Sequence, residues 1–96
     1  MISSFGDKTT EALFHARTGE PTRRLPPHVV QAALRKLDLL NAARSLQDMA
    51  SPPGNRLEAL KGNLQGFHSV RVNDQWRIIF RWVDGDASEV SLLDYH

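Results

Sequence analysis

The spacing of apolar residues changes once along this chain, at the proline- and glycine-rich stretch 51–55, and that change constrains the fold class. Before it, valine, alanine and leucine recur every three or four residues over 29–40, which predicts an amphipathic helix. After it, apolar and polar residues alternate over 67–72, 76–82 and 87–93, which predicts three strands.

Two further strands and two further helical segments complete the predicted architecture. The opening residues 2–5 alternate and predict a first strand, and 57–60 predicts another short strand. Asp7 is placed to cap a first helix, while Leu46 and Met49 predict a third helix or a bent continuation of the second. We therefore expect an α+β domain with a small antiparallel sheet, made of an N-terminal strand plus a C-terminal meander, and two or three helices packed on one face.

Length and composition exclude several classes of protein. The 96 residues suit one domain, 1–96, and 41% hydrophobic with 24% charged residues is typical of a folded chain rather than a disordered one. Cysteine is absent, which excludes disulfide scaffolds and thiolate catalysis. No apolar run has the length of a signal peptide or membrane span, so we expect a cytoplasmic protein without a membrane partner. Histidines and carboxylates lack metal-ligand spacing, and we expect no metal and no cofactor.

The register of the two middle predicted strands brings two arginines together. Placing Val70 and Ile78 on one core face requires residues 73–75 as a three-residue loop, and this sets Arg71 directly opposite Arg77 on the other face. Like charges paired across a ladder destabilise by about 0.2–1 kcal/mol, unless acids lie nearby or an external anion fills the gap. Guanidinium groups suit phosphate, so this face, which we expect to be open, is the candidate site.

The last predicted strand extends this register. If residues 84–86 form the loop, Phe80 lies opposite Val90, and Tyr95 falls on the face of Arg77. The segment 54–82 contains five basic and two acidic residues although the whole chain has a net charge of only +1, which suits a small anionic site better than a broad nucleic-acid surface. An alternative also stays open, in which these arginines are solvated and paired with Glu58 or Glu89.

Several short motifs follow one another in the C-terminal half: Leu60-Lys61-Gly62, Val70-Arg71-Val72-Asn73, Gln75-Trp76-Arg77-Ile78, the stretch 82–87, and Asp94-Tyr95-His96 at the end. Together they resemble the HigB toxins of the RelE/ParE toxin–antitoxin superfamily, and residues 1–5 resemble that family's first strand. The resemblance implies a RelE-like fold and a type II toxin that acts as a ribosome-dependent endoribonuclease, cutting messenger RNA in the ribosomal A site. It also implies a HigA-like helix-turn-helix antitoxin as partner, with operator DNA contacted only through that antitoxin.

Metal-free RNA cleavage requires a base for the ribose 2′-OH, cations around the phosphate and an acid for the leaving 5′-oxygen. The resemblance assigns Arg77 and Lys61 to phosphate binding, and Arg71 is a further candidate from the register. It also implies that Tyr95 and His96 transfer protons, with Asp94 orienting or polarising them.

Glu58 departs from the family pattern. Some HigB toxins carry a catalytic histidine three residues before the Leu-Lys-Gly lysine, where this chain has Glu58, although other nucleases of the superfamily use a glutamate base. Nearby cations would weaken a carboxylate base, so the assignment of base and acid between Glu58 and His96 stays open. Two other functions also stay open: a ParE-like poison of DNA gyrase, and a catalytically degenerate toxin retained as an antitoxin-binding corepressor.

Overall fold

The computed structural model describes residues 1–16, 25–51 and 53–94, and these form an α+β arrangement of two α-helices and one antiparallel sheet. The helices are α1 (Lys8–Ala16) and α2 (Pro27–Ala42). The four strands pair in chain order, β1 (Glu58–Ala59), β2 (His68–Arg71), β3 (Trp76–Val83) and β4 (Asp86–Asp94). Short 3₁₀ turns occupy Leu46–Ala50, Pro53–Asn55 and Gly62–Leu64. The α+β class and the C-terminal meander are thus confirmed.

Local sequence signals explain where the helices begin. The Asp7 carboxylate accepts a hydrogen bond from the Thr10 backbone N–H at 2.6 Å, which confirms the predicted cap of α1. Pro27 opens α2 because the first turn of a helix needs no backbone N–H from that residue. The helix expected around Leu46 and Met49 is only the 3₁₀ turn Leu46–Ala50, which begins with a capping box between Ser45 and Asp48.

The predicted N-terminal strand is wrong. Ile2 and Phe5 make isolated parallel bridges to Ala87 and Val90, and the segment does not belong to the antiparallel sheet. Between those bridges Glu89 has a φ of +52°, which turns the β4 backbone. A continuous ladder therefore does not form, and residues 1–6 are instead held by single hydrogen bonds such as that from the Ser3 N–H to the Ala87 carbonyl at 2.7 Å.

The β2–β3 hairpin has the predicted register. Val70 lies opposite Ile78 and Arg71 lies opposite Arg77. The three-residue loop is closed by Asn73, whose side-chain oxygen accepts the backbone N–H groups of Gln75 and Trp76 at 2.9 and 2.8 Å.

The β3–β4 turn is shorter than predicted. Val83 pairs with Asp86, so the loop has two residues rather than three. Asp84 and Gly85 have φ values of +53° and +83°, as a type I′ turn requires. An irregularity in β4 opposite Ile79–Arg81 then shifts the register by one residue. The expected pairing of Phe80 with Val90 falls at this irregularity and is not among the ladder pairs, whereas Ile78 pairs with Leu92.

The core lies between the helices and one face of the sheet. It contains Leu13 from α1, Ala33, Leu37 and Leu40 from α2, Met49, and the strand residues Val70, Ile78, Phe80, Ala87 and Val90, all buried. Both helices thus pack on one face, as expected, and the side chains of Arg71 and Arg77 belong to the other. No helix in the described ranges is long and apolar enough to cross a membrane.

Candidate functional site

The sheet face that the helices leave uncovered carries a depression of about 280 Å³. Its lining residues are Arg56, Arg71, Asn73, Asp74 and Arg77. Three guanidinium groups stand against one carboxylate in this lining, so the depression attracts anions.

Arg77 is the most firmly held of the three arginines. One guanidinium nitrogen, Nη2, donates a hydrogen bond to the Arg56 carbonyl at 2.7 Å, and Nη1 lies 3.6 Å from Oε1 of Glu58. The side chain is only 14% exposed. A planar guanidinium fixed in this way loses little side-chain entropy when it binds a phosphate.

Glu58 reaches the site from the edge of the sheet. It lies on β1, where its backbone pairs with Ser69 of β2, and its side chain is 58% exposed. The contact between Glu58 and Arg77 spans β2, so a carboxylate and a guanidinium from opposite sides of that strand meet beside the depression. This arrangement places a carboxylate and a guanidinium side by side at the edge of the depression.

Arg71 carries the second guanidinium, directly across the ladder from Arg77. Asp74 forms an ion pair with it from the following loop, where the Asp74 carboxylate is 97% exposed. The nearby acids expected to make the opposed arginines tolerable are therefore Asp74 and Glu58. The alternative of simple ion pairing is partly observed, because Arg77 does contact Glu58, whereas Glu89 pairs with Arg81 at 2.9 Å.

The expectation that this sheet face is fully open is wrong. Ser69 and Ile79 lie on it and are 0% and 6% exposed. The chain on either side of β1 covers part of it, since the Arg56 carbonyl contacts Arg77 and the Phe67 ring lies 4.2 Å from the Arg81 guanidinium carbon. The part of this sheet face that a ligand can reach is therefore the depression.

The remaining predicted site residues lie elsewhere. Lys61 is exposed at the start of the 3₁₀ turn Gly62–Leu64 and does not line the depression. Asp94 ends β4 opposite Trp76, and its Oδ1 accepts a hydrogen bond from the Gln75 amide at 3.0 Å. Tyr95 and His96 lie outside the described residues.

Arg56, Asn73 and Asp74 line the depression but were not among the predicted site residues. Arg56 belongs to the basic segment 54–82, which was the one signal in the sequence that pointed to it. Its contribution depends on a left-handed backbone, with φ at +48°, that nothing in the residue type predicts.

Within the ranges 1–16, 25–51 and 53–94, no group of three histidine, aspartate or glutamate side chains is arranged to hold a metal ion.

The sequence model of the family described as the RelE-like toxin HigB of type II toxin–antitoxin systems matches residues 3–96. The chain belongs to this HigB-like toxin family. It is 44% identical over 96 residues to toxin HigB-1 of Vibrio cholerae, covering 100% of this chain and 98% of that protein. It is also 30% identical to the endoribonuclease HigB of Proteus vulgaris, over the full length of both.

Solved structures agree on the fold. A YoeB–YefM complex from Staphylococcus aureus matches 100% of this HigB-like chain and 98% of its own, with a TM-score of 0.62 and 17% identity. The YoeB dimer from the same organism matches 99% of this chain and 97% of its own, with a TM-score of 0.58 and 18% identity. The family model and the two HigB relatives confirm the HigB resemblance and the toxin class, and they confirm the endoribonuclease prediction at the level of the family. As a type II toxin, this HigB-like chain has a cognate antitoxin.

Proposed function

We propose that this HigB-like toxin arrests translation by cutting messenger RNA in the ribosomal A site, without a metal ion. The observation that carries the proposal is Arg77, held between the Glu58 carboxylate and the Arg56 carbonyl inside a depression lined by three arginines. A fixed guanidinium beside a proton acceptor is what phosphodiester cleavage by an internal 2′-OH requires.

In this mechanism Arg77 and Arg71 bind the non-bridging oxygens of the scissile phosphate. Glu58 removes the proton of the adjacent ribose 2′-OH, the 2′-oxygen bonds to phosphorus, and the bond from phosphorus to the 5′-oxygen breaks. His96 donates a proton to that oxygen, assisted by Tyr95 and oriented by Asp94, and the products are a 2′,3′-cyclic phosphate and a 5′-hydroxyl. The arginines stabilise the transition state because negative charge grows on the oxygens they contact.

Lys61 acts at the edge of this site in the proposal. It is exposed and directly precedes Gly62, whose φ is +66°. An ammonium group on a flexible stem at such a turn reaches a phosphate as a point charge rather than through a fixed fork. We therefore expect Lys61 to strengthen RNA binding more than it accelerates the chemical step.

The proposed partners follow from the same function. They are a HigA-like helix-turn-helix antitoxin and a ribosome carrying messenger RNA, with operator DNA contacted only through the antitoxin and with the cytoplasm as the site of action. The structural neighbour solved as a YoeB–YefM complex supports a toxin that is held by a second protein.

The test is induction of the toxin in cells, with transcript ends mapped for the wild type and for Arg77→Ala, Glu58→Gln and His96→Ala. The expected result is cleavage inside translated reading frames, abolished by Arg77→Ala and reduced about 10²–10⁴-fold by loss of the base or the acid. A reporter transcript without its start codon is the control, because a ribosome-dependent enzyme leaves it intact.

Two outcomes would contradict the proposal. Cleavage of the untranslated reporter would exclude ribosome dependence. Growth arrest without any transcript cleavage, unchanged by His96→Ala, would favour a gyrase poison instead, and inhibition of DNA supercoiling by the purified toxin would then identify that target. Full activity of Glu58→Gln with loss in His96→Ala would leave the nuclease function standing but exclude Glu58 as either base or acid.

A further inference from the structure

We propose that Arg56 is an RNA-contacting residue that binds the phosphate next to the scissile one. This inference rests on the proposed function and adds a substrate contact to it. It is carried by three features of Arg56, namely a fixed backbone, a place in the lining of the depression, and a guanidinium without a carboxylate partner in the described part of the chain.

Hydrogen bonds of Asn55 and of the Arg56 N–H group hold the backbone around Arg56 in place. Asn55 is fully buried; its amide donates to the Met49 carbonyl at 3.1 Å, and its side-chain oxygen accepts a hydrogen bond from the Lys36 ammonium group. The Arg56 N–H then donates to the Pro53 carbonyl at 3.1 Å. Arg56 is consequently held at one place although its side chain is exposed.

In its left-handed conformation, Arg56 directs its backbone carbonyl and its side chain to different contacts. With φ at +48°, its carbonyl accepts the hydrogen bond from Arg77, and its side chain lines the depression. A non-glycine residue with positive φ is uncommon, because its Cβ comes too close to the following carbonyl oxygen. Such strain is retained where the surrounding structure enforces it, often at binding sites.

The charges around the depression distinguish Arg56 from its two neighbours. Arg77 contacts Glu58 and Arg71 pairs with Asp74, whereas no ion pair to Arg56 is found within the described ranges. The unpaired positive charge therefore belongs to Arg56. Since Arg71 and Arg77 already supply two guanidinium groups for one scissile phosphate, the third is available for the adjoining phosphate of an extended RNA strand.

The test variant must remove the guanidinium but keep the backbone. Arg56→Asn does so, because asparagine tolerates a positive φ better than other non-glycine residues and retains the carbonyl that holds Arg77. Arg56→Gly is the second variant, in case asparagine impairs folding. Arg35→Gln on the exposed side of α2 is the matched control, since it removes the same charge from a residue that does not line the depression.

The assay is single-turnover cleavage of a short messenger RNA on programmed ribosomes, with the phosphate on either side of the scissile one replaced in turn by an uncharged methylphosphonate. We expect Arg56→Asn to lower cleavage of normal RNA about tenfold or more, the scale of one charge-assisted contact, and Arg35→Gln to leave it within about twofold. At one of the two positions, the methylphosphonate should slow cleavage by the wild type by a similar factor. It should slow cleavage by Arg56→Asn by less than about twofold there, because that variant has already lost the contact.

The proposal is overturned if Arg56→Asn and Arg56→Gly cleave at the wild-type rate, or if the effects of variant and methylphosphonate multiply at both positions. Failure of the proposed function gives a different result, namely no cleavage by the wild type on any programmed ribosome. Thermal unfolding of each variant, compared with the wild type, separates loss of the contact from loss of the fold.

Discussion

Asn55 is the polar residue on which the geometry of the site most depends, and its replacement by alanine should destabilise the whole domain. It is fully buried, donates to the Met49 carbonyl at 3.1 Å and accepts from Lys36 on α2. These bonds tie the helical layer to the segment that precedes Arg56. Asn55→Ala should therefore affect stability and the placement of Arg77 together.

The magnitude follows from what each partner loses. The Met49 residue is 1% exposed, so its carbonyl would be left buried without the Asn55 amide, at about 1–3 kcal/mol. Lys36 is half-buried, and water can replace part of its bond, so that loss adds less. A total near 3 kcal/mol would lower the Tm of a domain of this size by about 12–24 °C.

The measurement is thermal and urea unfolding of Asn55→Ala, Lys36→Met and the double variant. Burial, and secondarily the charge of Arg35, lowers the pKa of Lys36, which means that the folded state already disfavours its charged form. Lys36→Met keeps the apolar stem and removes that charge, but it leaves the buried Asn55 side-chain oxygen without its donor. It should therefore destabilise the domain by about 1 kcal/mol, less than Asn55→Ala, which breaks both hydrogen bonds. If Lys36→Met were as destabilising as Asn55→Ala, or if Asn55→Ala unfolded like the wild type, the assigned role of Asn55 would be refuted.

Two further predictions concern charged side chains. Arg71→Ala should leave the free energy of unfolding unchanged or raise it by up to about 1 kcal/mol, because it removes the like charge opposite Arg77. Messenger-RNA cleavage should fall in the same variant. A clear loss of stability in urea unfolding would argue against this account. Backbone N–H groups at the start of the 3₁₀ turn Leu46–Ala50 lower the pKa of Asp48 below the usual 3.8. The ionised Asp48 carboxylate therefore stabilises the fold above pH 3.8, and this contribution is lost as the pH falls through the folded-state pKa. The stability gap between wild type and Asp48→Asn should accordingly be wide at neutral pH and close under acid, whereas a gap independent of pH would exclude this linkage.

The sequence predicts those parts of the fold that depend on periodicity and on residue type. Helical spacing located α2, alternation located three strands, and the parity of Val70 and Ile78 set the β2–β3 register. That register alone brings Arg71 and Arg77 together, so the centre of the site follows from the pattern of residues along two strands.

The predictions that failed depend on backbone conformations that residue type does not reveal. Asp84, Glu89 and Arg56 are the non-glycine residues with positive φ in the described ranges, and each lies where an expectation was wrong or incomplete. Asp84 shortens the last hairpin, Glu89 interrupts pairing with the N-terminal segment, and Arg56 turns its carbonyl toward Arg77. These three errors thus share one physical origin.

The two halves of the site consequently differ in how they can be inferred. The opposed arginines follow from ladder geometry, and their repulsion is a reason in itself to look for an anion. Glu58, which the spacing from the Leu60-Lys61-Gly62 motif identified, and Arg56, which no motif identified, both reach Arg77 from the other side of β2. The chain path that brings them there follows buried Asn55. Consider a HigB-like chain that has the same motifs but an apolar residue at the position of Asn55. It should keep the two opposed arginines, but the arginine at the position of Arg77 should lose its fixed orientation. Such a chain should still bind RNA but should cleave it more slowly, because stabilisation of a transition state depends on groups that are already in place.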